Sequence, residues 1–212
     1  CRECAADLPP ARPALLTQLG PISMDFAPYG YQPPLDHLVH ALKYRGQLAV
    51  ARVLGNLLGA QVASLGLQRD VDVLVPVPLH PARLAERGFN QSQEIARWVS
   101  DRVGCRVEAR LLQRRRDTRP QVGLGSVERR TNLAGAFAVV APVRGLRVVL
   151  VDDVTTTGTT LRELGAVLLE GGAARVIGID RDTDAIAMAK ETLADFGDRV
   201  TFVHADYREV GE

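Results

Sequence analysis

The chain has 212 residues, 46% of them hydrophobic, enough to bury one proper core with a small satellite module attached. A net charge of +1 conceals an asymmetry: residues 1–176 hold 22 basic and 16 acidic side chains, whereas residues 177–212 hold 4 and 9. No apolar run approaches a membrane span and no charged segment followed by an apolar stretch opens the chain, so a soluble, cytoplasmic protein without membrane insertion is expected.

Residues 1–34 carry Pro9, Pro10, Pro13, Pro21, Pro28, Pro33 and Pro34, which break any helix and leave an irregular lead-in. Cys1 and Cys4 stand there as C-x-x-C, half of a zinc-ribbon ligand set. Tetrahedral zinc needs four ligands, so zinc is expected only if further N-terminal ligands exist. With Cys105, a small core or surface residue, the cysteines are too few for a disulfide framework.

From Leu35 to about Ala63 the apolar spacing turns helical, with Leu35, Leu38, Val39 and Leu42 on one face and Val50, Val53, Leu54, Leu57 and Leu58 on another. The pattern predicts two helices broken near Arg45-Gly46. Val71 to Pro78 reads as a β-branched strand, followed by a basic loop after His80-Pro81 and a helix that puts Ile95, Trp98 and Val99 on one face. Arg110 to Arg130 is polar, very basic and interrupted by Pro120, Gly123 and Gly125, which predicts a mobile excursion. Arg147 to Val151 is a second apolar strand, Leu161, Leu164, Val167 and Leu168 mark a helix after Gly158, and Arg175 to Ile179 is a third strand. Strands alternating with helices imply an α/β fold with a mainly parallel sheet flanked by helices.

The most informative string is VVLVDDVTTTGTTL, in which a buried strand ends in two acids and a Thr/Gly run opens a helix. In open α/β sheets ligands sit at the carboxyl ends of strands, where Asp152 and Asp153 project. Adjacent carboxylates there accept ribose hydroxyls and help to position magnesium. Val154, Thr155, Thr156, Thr157, Gly158, Thr159 and Thr160 then offer backbone N–H groups and hydroxyls to a phosphate at the helix N-terminus. For the acids alone, a strand-to-helix turn with a threonine N-cap explains the residues equally well. The string contains no Gly-Lys-Thr and so is not a Walker loop.

As a whole it resembles the phosphoribosyl pyrophosphate (PRPP) motif of type I phosphoribosyltransferases. Together with HALKYRG, VPVPLHPARLAERGFNQS and RRRDTRPQVGLGSVERRTNLAGAF, it resembles the ComF family of competence-associated phosphoribosyltransferase-like proteins over about residues 1–176. The resemblance implies a type I phosphoribosyltransferase (Rossmann-like) fold, with a remnant zinc ribbon and linker over 1–34 and the transferase-like domain over 35–176. Cys1 and Cys4 correspond to the last ligand pair of the family's ribbon. It also implies PRPP with magnesium as the ligand, and Arg83 and Arg87 in the pyrophosphate loop, where a planar fork suits phosphate oxygens. The Arg-rich stretch from Arg114 to Arg130 corresponds to the flexible loop that closes over the site and excludes water while the glycosidic carbon is attacked, with Arg115, Arg119 and Arg129 as its candidate residues and Arg115 and Arg119 counted as catalytic beside Asp152 and Asp153. Asn90 and Gln91 brace the following helix. Lys43 either leans its charge over the site from a hood-like helix pair or is a snorkelling surface lysine.

Beyond Val176, IGIDRDTDAIAMAKETLADFGDRVTFVHADYREV resembles part of a 16S rRNA cytosine-N4 methyltransferase that uses S-adenosylmethionine, with Asp180 and Asp206 at cofactor positions. The Gly-rich loop that should precede its first strand is not there. Strand, helix, strand is still what the edge of a doubly wound sheet accepts, with Ile186, Ala189 and Leu193 facing inward. The functional expectation is phosphoribosyl transfer from PRPP to a nitrogen acceptor with release of pyrophosphate. The alternatives are a non-catalytic accessory protein that binds PRPP, single-stranded DNA or DNA-uptake proteins, as a monomer or an oligomer, and a methyltransferase fragment.

Overall fold

The computed structural model describes residues 33–64, 66, 69, 71–118, 133–153, 159–179 and 199–203. Its frame is a five-stranded parallel sheet built from β1 (Val73–Pro76), β2 (Arg106–Val107), β5 (Arg147–Val151), β6 (Arg175–Ile179) and β7 (Val200–Val203). Strands buried on both faces read as continuous apolar runs, and β1 is buried at all four positions. Side chains alternate across the sheet. Val73, Val75, Val148, Leu150 and Val176 enter one core cluster, while Leu74, Val149, Val151 and Ile177 enter the other.

The first cluster is covered by α5 (Thr159–Glu170) through Leu161, Leu164 and Leu168. Leu112 and Phe137 also enter it, from the antiparallel pair of β3 (Leu112–Arg114) and β4 (Phe137–Val139). The second is covered by α1 (Leu35–Arg45), α2 (Leu48–Ser64) and α4 (Gln91–Val103), through Leu42, Ala51, Leu58, Ile95 and Val99. Between α1 and α2 the chain turns at Gly46, whose φ of 62° is left-handed, at the break expected from the sequence. Helices α2 and α4 cross closely at Gly55, where an added Cβ would lie 2.5 Å from Trp98 Cβ and 2.6 Å from the Ile95 carbonyl oxygen.

Two expectations change. The basic stretch after His80 is not all loop but contains a short helix, α3 (Pro81–Arg87). His80 caps it, Nδ1 accepting from the Ala82 N–H at 3.3 Å; Pro81 starts it with a preset φ; Gly88 ends it at φ 81°. The excursion expected from Arg110 begins later, because Leu112–Arg114 pairs with Phe137–Val139 and buries Leu112 and Phe137. The chain's polarity hides a strand whose single inward turn of side chains suffices to dock it.

The parallel strands run in the spatial order β2-β1-β5-β6-β7, so the chain reverses its direction of growth between β1 and β5. A crevice at the carboxyl ends of these two strands is the position that such a topology offers to ligands. The meeting point of the two sequence resemblances, Val176/Ile177, falls inside β6, and β7 extends the sheet from beyond it. The inward face expected at Ile186, Ala189 and Leu193 lies outside the described residues. Among the described residues, no helix is long and apolar enough to cross a membrane.

Candidate functional site

Strand β5 ends at Val151, and Asp152 and Asp153 follow it at the carboxyl end of the sheet, beside the switch point between β1 and β5. The Asp152 carboxylate is held from two sides: its Oδ1 accepts from the Ser92 hydroxyl at 3.0 Å and from the Asp153 N–H at 2.8 Å. Ser92 reaches it from the first turn of α4. That helix is fixed by Asn90, whose Oδ1 accepts from the Ser92 N–H at 3.0 Å and whose Nδ2 donates to the Val77 carbonyl just past β1 at 3.0 Å. One N-cap thus ties the end of β1 to the acid at the end of β5. Burial, and next the charge of Asp153, push the Asp152 carboxyl up to about 7, against the lowering pull of Lys43.

Asp153 meets Lys43 instead: Nζ stands 2.7 Å from Oδ2, with the two side chains 22% and 5% exposed. Lys43 thus lies against the acids that follow β5. Its neighbour Tyr44 is exposed, tilted against His40 with ring centroids 4.6 Å apart, and lies under the Arg87 guanidinium at 5.8 Å.

On the β1 side, Arg87 donates to Gln91 Oε1, and Arg83 donates to the Thr118 carbonyl at 3.0 Å with its Nε 3.6 Å from Asp117 Oδ1. Arg114, at the end of β3, donates to the Thr118 hydroxyl and covers the Phe137 ring at 5.6 Å. Burial first, and then the nearby Arg83 charge, lower the pKa of its guanidinium, while Asp152 and Asp117 oppose the shift. Carboxylates from β5 and guanidiniums from α3 and β3 therefore share one end of the sheet. Arg115 is exposed, and its N–H donates to the Ala136 carbonyl at 2.8 Å.

Thr159 and Thr160 open α5. Cys1, Cys4, Arg119, Arg129, Val154, Thr155, Thr156, Thr157, Gly158, Asp180 and Asp206 lie outside the described residues. Ser92 and Arg114 were missed in the sequence. The signal for Ser92 was its place two residues after an N-capping asparagine; Arg114 had none, because only the pairing of β3 with β4 sets it on the same side as Leu112.

A family model for the phosphoribosyl transferase domain matches residues 89–179. The DNA utilization protein YhgH of Salmonella typhimurium is 38% identical over 185 residues, covering 83% of this chain and 80% of that protein. Competence protein F of Haemophilus influenzae is 34% identical over 158 residues, covering 69% of this chain and 66% of that one.

The chain belongs to the ComF family of phosphoribosyltransferase-like proteins.

A 45-residue stretch is 56% identical to ribosomal RNA small subunit methyltransferase H of Sorangium cellulosum, but it covers only 21% of this ComF chain and 14% of that enzyme. Among solved structures, glutamine PRPP amidotransferase from B. subtilis, complexed with ADP and GMP, overlays with a TM-score of 0.44 at 19% identity, covering 72% of this chain and 35% of that one. The protein TT1426 from Thermus thermophilus overlays with a TM-score of 0.41 at 17% identity, over 74% and 84%.

Proposed function

We propose that this ComF-family protein binds PRPP together with magnesium in the β1/β5 crevice and transfers the phosphoribosyl group to a nitrogen acceptor, releasing pyrophosphate. The observation that carries the reading is the pairing, at one switch point, of two adjacent carboxylates after β5 with arginines after β1. The donor set suits magnesium: Asp153 already meets a cation, the Lys43 ammonium, at 2.7 Å, and magnesium is commonly held by one or two carboxylates plus substrate phosphates. When bound, magnesium supplies charge neutralisation on the departing pyrophosphate.

The residues divide the remaining work. Asp152 and Asp153 accept the ribose hydroxyls, with Ser92 orienting Asp152. Arg83 and Arg87 meet the pyrophosphate charge from α3, aided by the shielded Arg114. Val154 to Thr160 cradle the 5′-phosphate at the N-terminus of α5, and Arg115 and Arg119 act on the leaving group. The transition state resembles an oxocarbenium ion, so positioning dominates and no general base is required. Cytoplasmic location belongs to this reading. Zinc at Cys1 and Cys4 belongs to it only if further N-terminal ligands exist.

Isothermal titration of PRPP with and without magnesium tests the reading, on the wild type and on Asp152→Asn/Asp153→Asn. Magnesium-dependent binding that is lost in the double variant is expected; absence of binding in folded wild-type protein refutes it. A second reading, an accessory role in DNA uptake with PRPP as a sensed ligand, is favoured by the names of the relatives, DNA utilization protein and competence protein. Single-strand binding that weakens steeply with salt, without turnover of any nitrogen acceptor, distinguishes it.

A further inference from the structure

We infer that Lys43 is the resident counter-ion of the Asp152–Asp153 pair and is exchanged for the divalent cation that enters with PRPP. The inference rests on the PRPP reading above and adds to it the condition on which the site admits metal.

The placement of Lys43 is fixed by the core. The preceding residue, Leu42, is fully buried in the same cluster as Val149 and Val151, the inward residues of β5 just before the acids. The register of α1 is thereby set against the end of β5, and Gly46 stops the helix three residues beyond Lys43 in a left-handed turn. At 2.7 Å from a carboxylate only 5% exposed, the ammonium forms a shielded pair rather than a screened surface contact.

The residue type points the same way. Of the 26 basic side chains in this chain only Lys43 and Lys190 are lysines, so arginine is the composition's default. A guanidinium would fork onto a carboxylate through two parallel bonds and hold it; an ammonium is a compact point charge on a flexible stem and releases more readily. A lysine at this position matches a cation that must leave.

With Lys43 in place one negative charge of the pair is already compensated, and free magnesium gains little by entering. Lys43 yields to the metal–PRPP complex, whose phosphate oxygens complete the coordination, and not to the free ion. The site then answers to its loaded substrate and not to the ambient concentration of metal.

Lysine-selective isotope labelling of the full chain gives two side-chain NMR signals, and Lys190 serves as the internal reference. The Lys43 signal is expected to shift on adding magnesium with PRPP and to stay in place with magnesium alone. Calorimetry with magnesium alone is expected to show binding to Lys43→Met at least about tenfold tighter than to the wild type, because the ion then enters without competition from the ammonium. Lys43→Arg is expected to keep free metal out. A Lys43 signal that stays still while magnesium and PRPP saturate the protein overturns the inference, as does a Met variant that binds free magnesium no better than wild type. If the Met variant does not fold, the wild-type NMR experiment decides alone. Failure of wild-type protein to bind magnesium and PRPP at all is a different outcome and removes the PRPP reading itself.

Discussion

Replacing Asp152 by asparagine should make the metal-free protein more stable while removing its ligand. The carboxyl is raised from 3.8 to about 7, first by burial and then by the charge of Asp153. A group whose pKa is raised by folding keeps its proton in the folded state after the unfolded chain has lost it. Stability therefore falls as pH rises from near 3.8 to about 7, and the full cost is present above that value. A shift of this size corresponds to about 4 kcal/mol at most; the residue keeps some solvent contact, so about 2–3 kcal/mol is the working figure. Asparagine mimics the protonated form and keeps the Oδ1 that accepts from the Ser92 hydroxyl and the Asp153 N–H. Urea unfolding at pH 5 and pH 8 in metal-free buffer measures the difference between variant and wild type, which cancels the other titrating groups. The variant's advantage should widen by about 2 kcal/mol between the two pH values. An advantage that is constant, shrinks or reverses with pH would refute the electrostatic account of the acid pair.

Gly55→Ala should destabilise the protein by about 1–3 kcal/mol in the same assay, because its Cβ lands 2.5 Å from Trp98 Cβ and α2 must move off α4; an unchanged midpoint would show that the crossing is loose. At the opposite end of β1 and β5, Arg147 grips Asp72 through Nη2 at 2.9 Å and Nε at 3.2 Å, and its N–H adds a bond at 2.8 Å. This pair holds the Asp72 carboxyl below its ordinary value, first through the Arg147 side-chain bonds, so its stabilisation is present above 3.8 and is lost as pH falls through the lowered value. Asp72→Asn should cost about 1 kcal/mol at pH 7, the pair being partly exposed, and nothing in strong acid. Cys105 is buried, and burial pushes its thiol pKa up, so in a Cys1→Ser/Cys4→Ser background it should react with a thiol reagent at pH 8 only at the rate of unfolding. Fast labelling of the folded protein would contradict that burial.

Sequence alone determined the parts of this protein in which local chemistry and tertiary role coincide. The apolar runs at Val73–Pro76 and Arg147–Val151 read as buried strands, and the glycine at 46 as the end of a helix, and both hold in the structure. The short helix α3 was legible in principle, from His80, Pro81 and Gly88, but seven residues are too few to show a period. The polar strand β3 was not legible, since its pairing with Phe137–Val139 spans more than twenty residues of chain and leaves no local trace. The same holds within the site. Lys43, Ser92 and Arg114 lie inside strings that carry the family resemblance, yet nothing in those strings says which group each will meet, and a lysine in sequence is as consistent with a solvated surface as with a counter-ion. Only the stacking of α1 and α4 on one face of the sheet, set by Leu42, Ile95 and Val99, brings Lys43 within 2.7 Å of one acid and Ser92 within 3.0 Å of the other. Charge partners are chosen by distance through space, and that distance is decided by how the core packs.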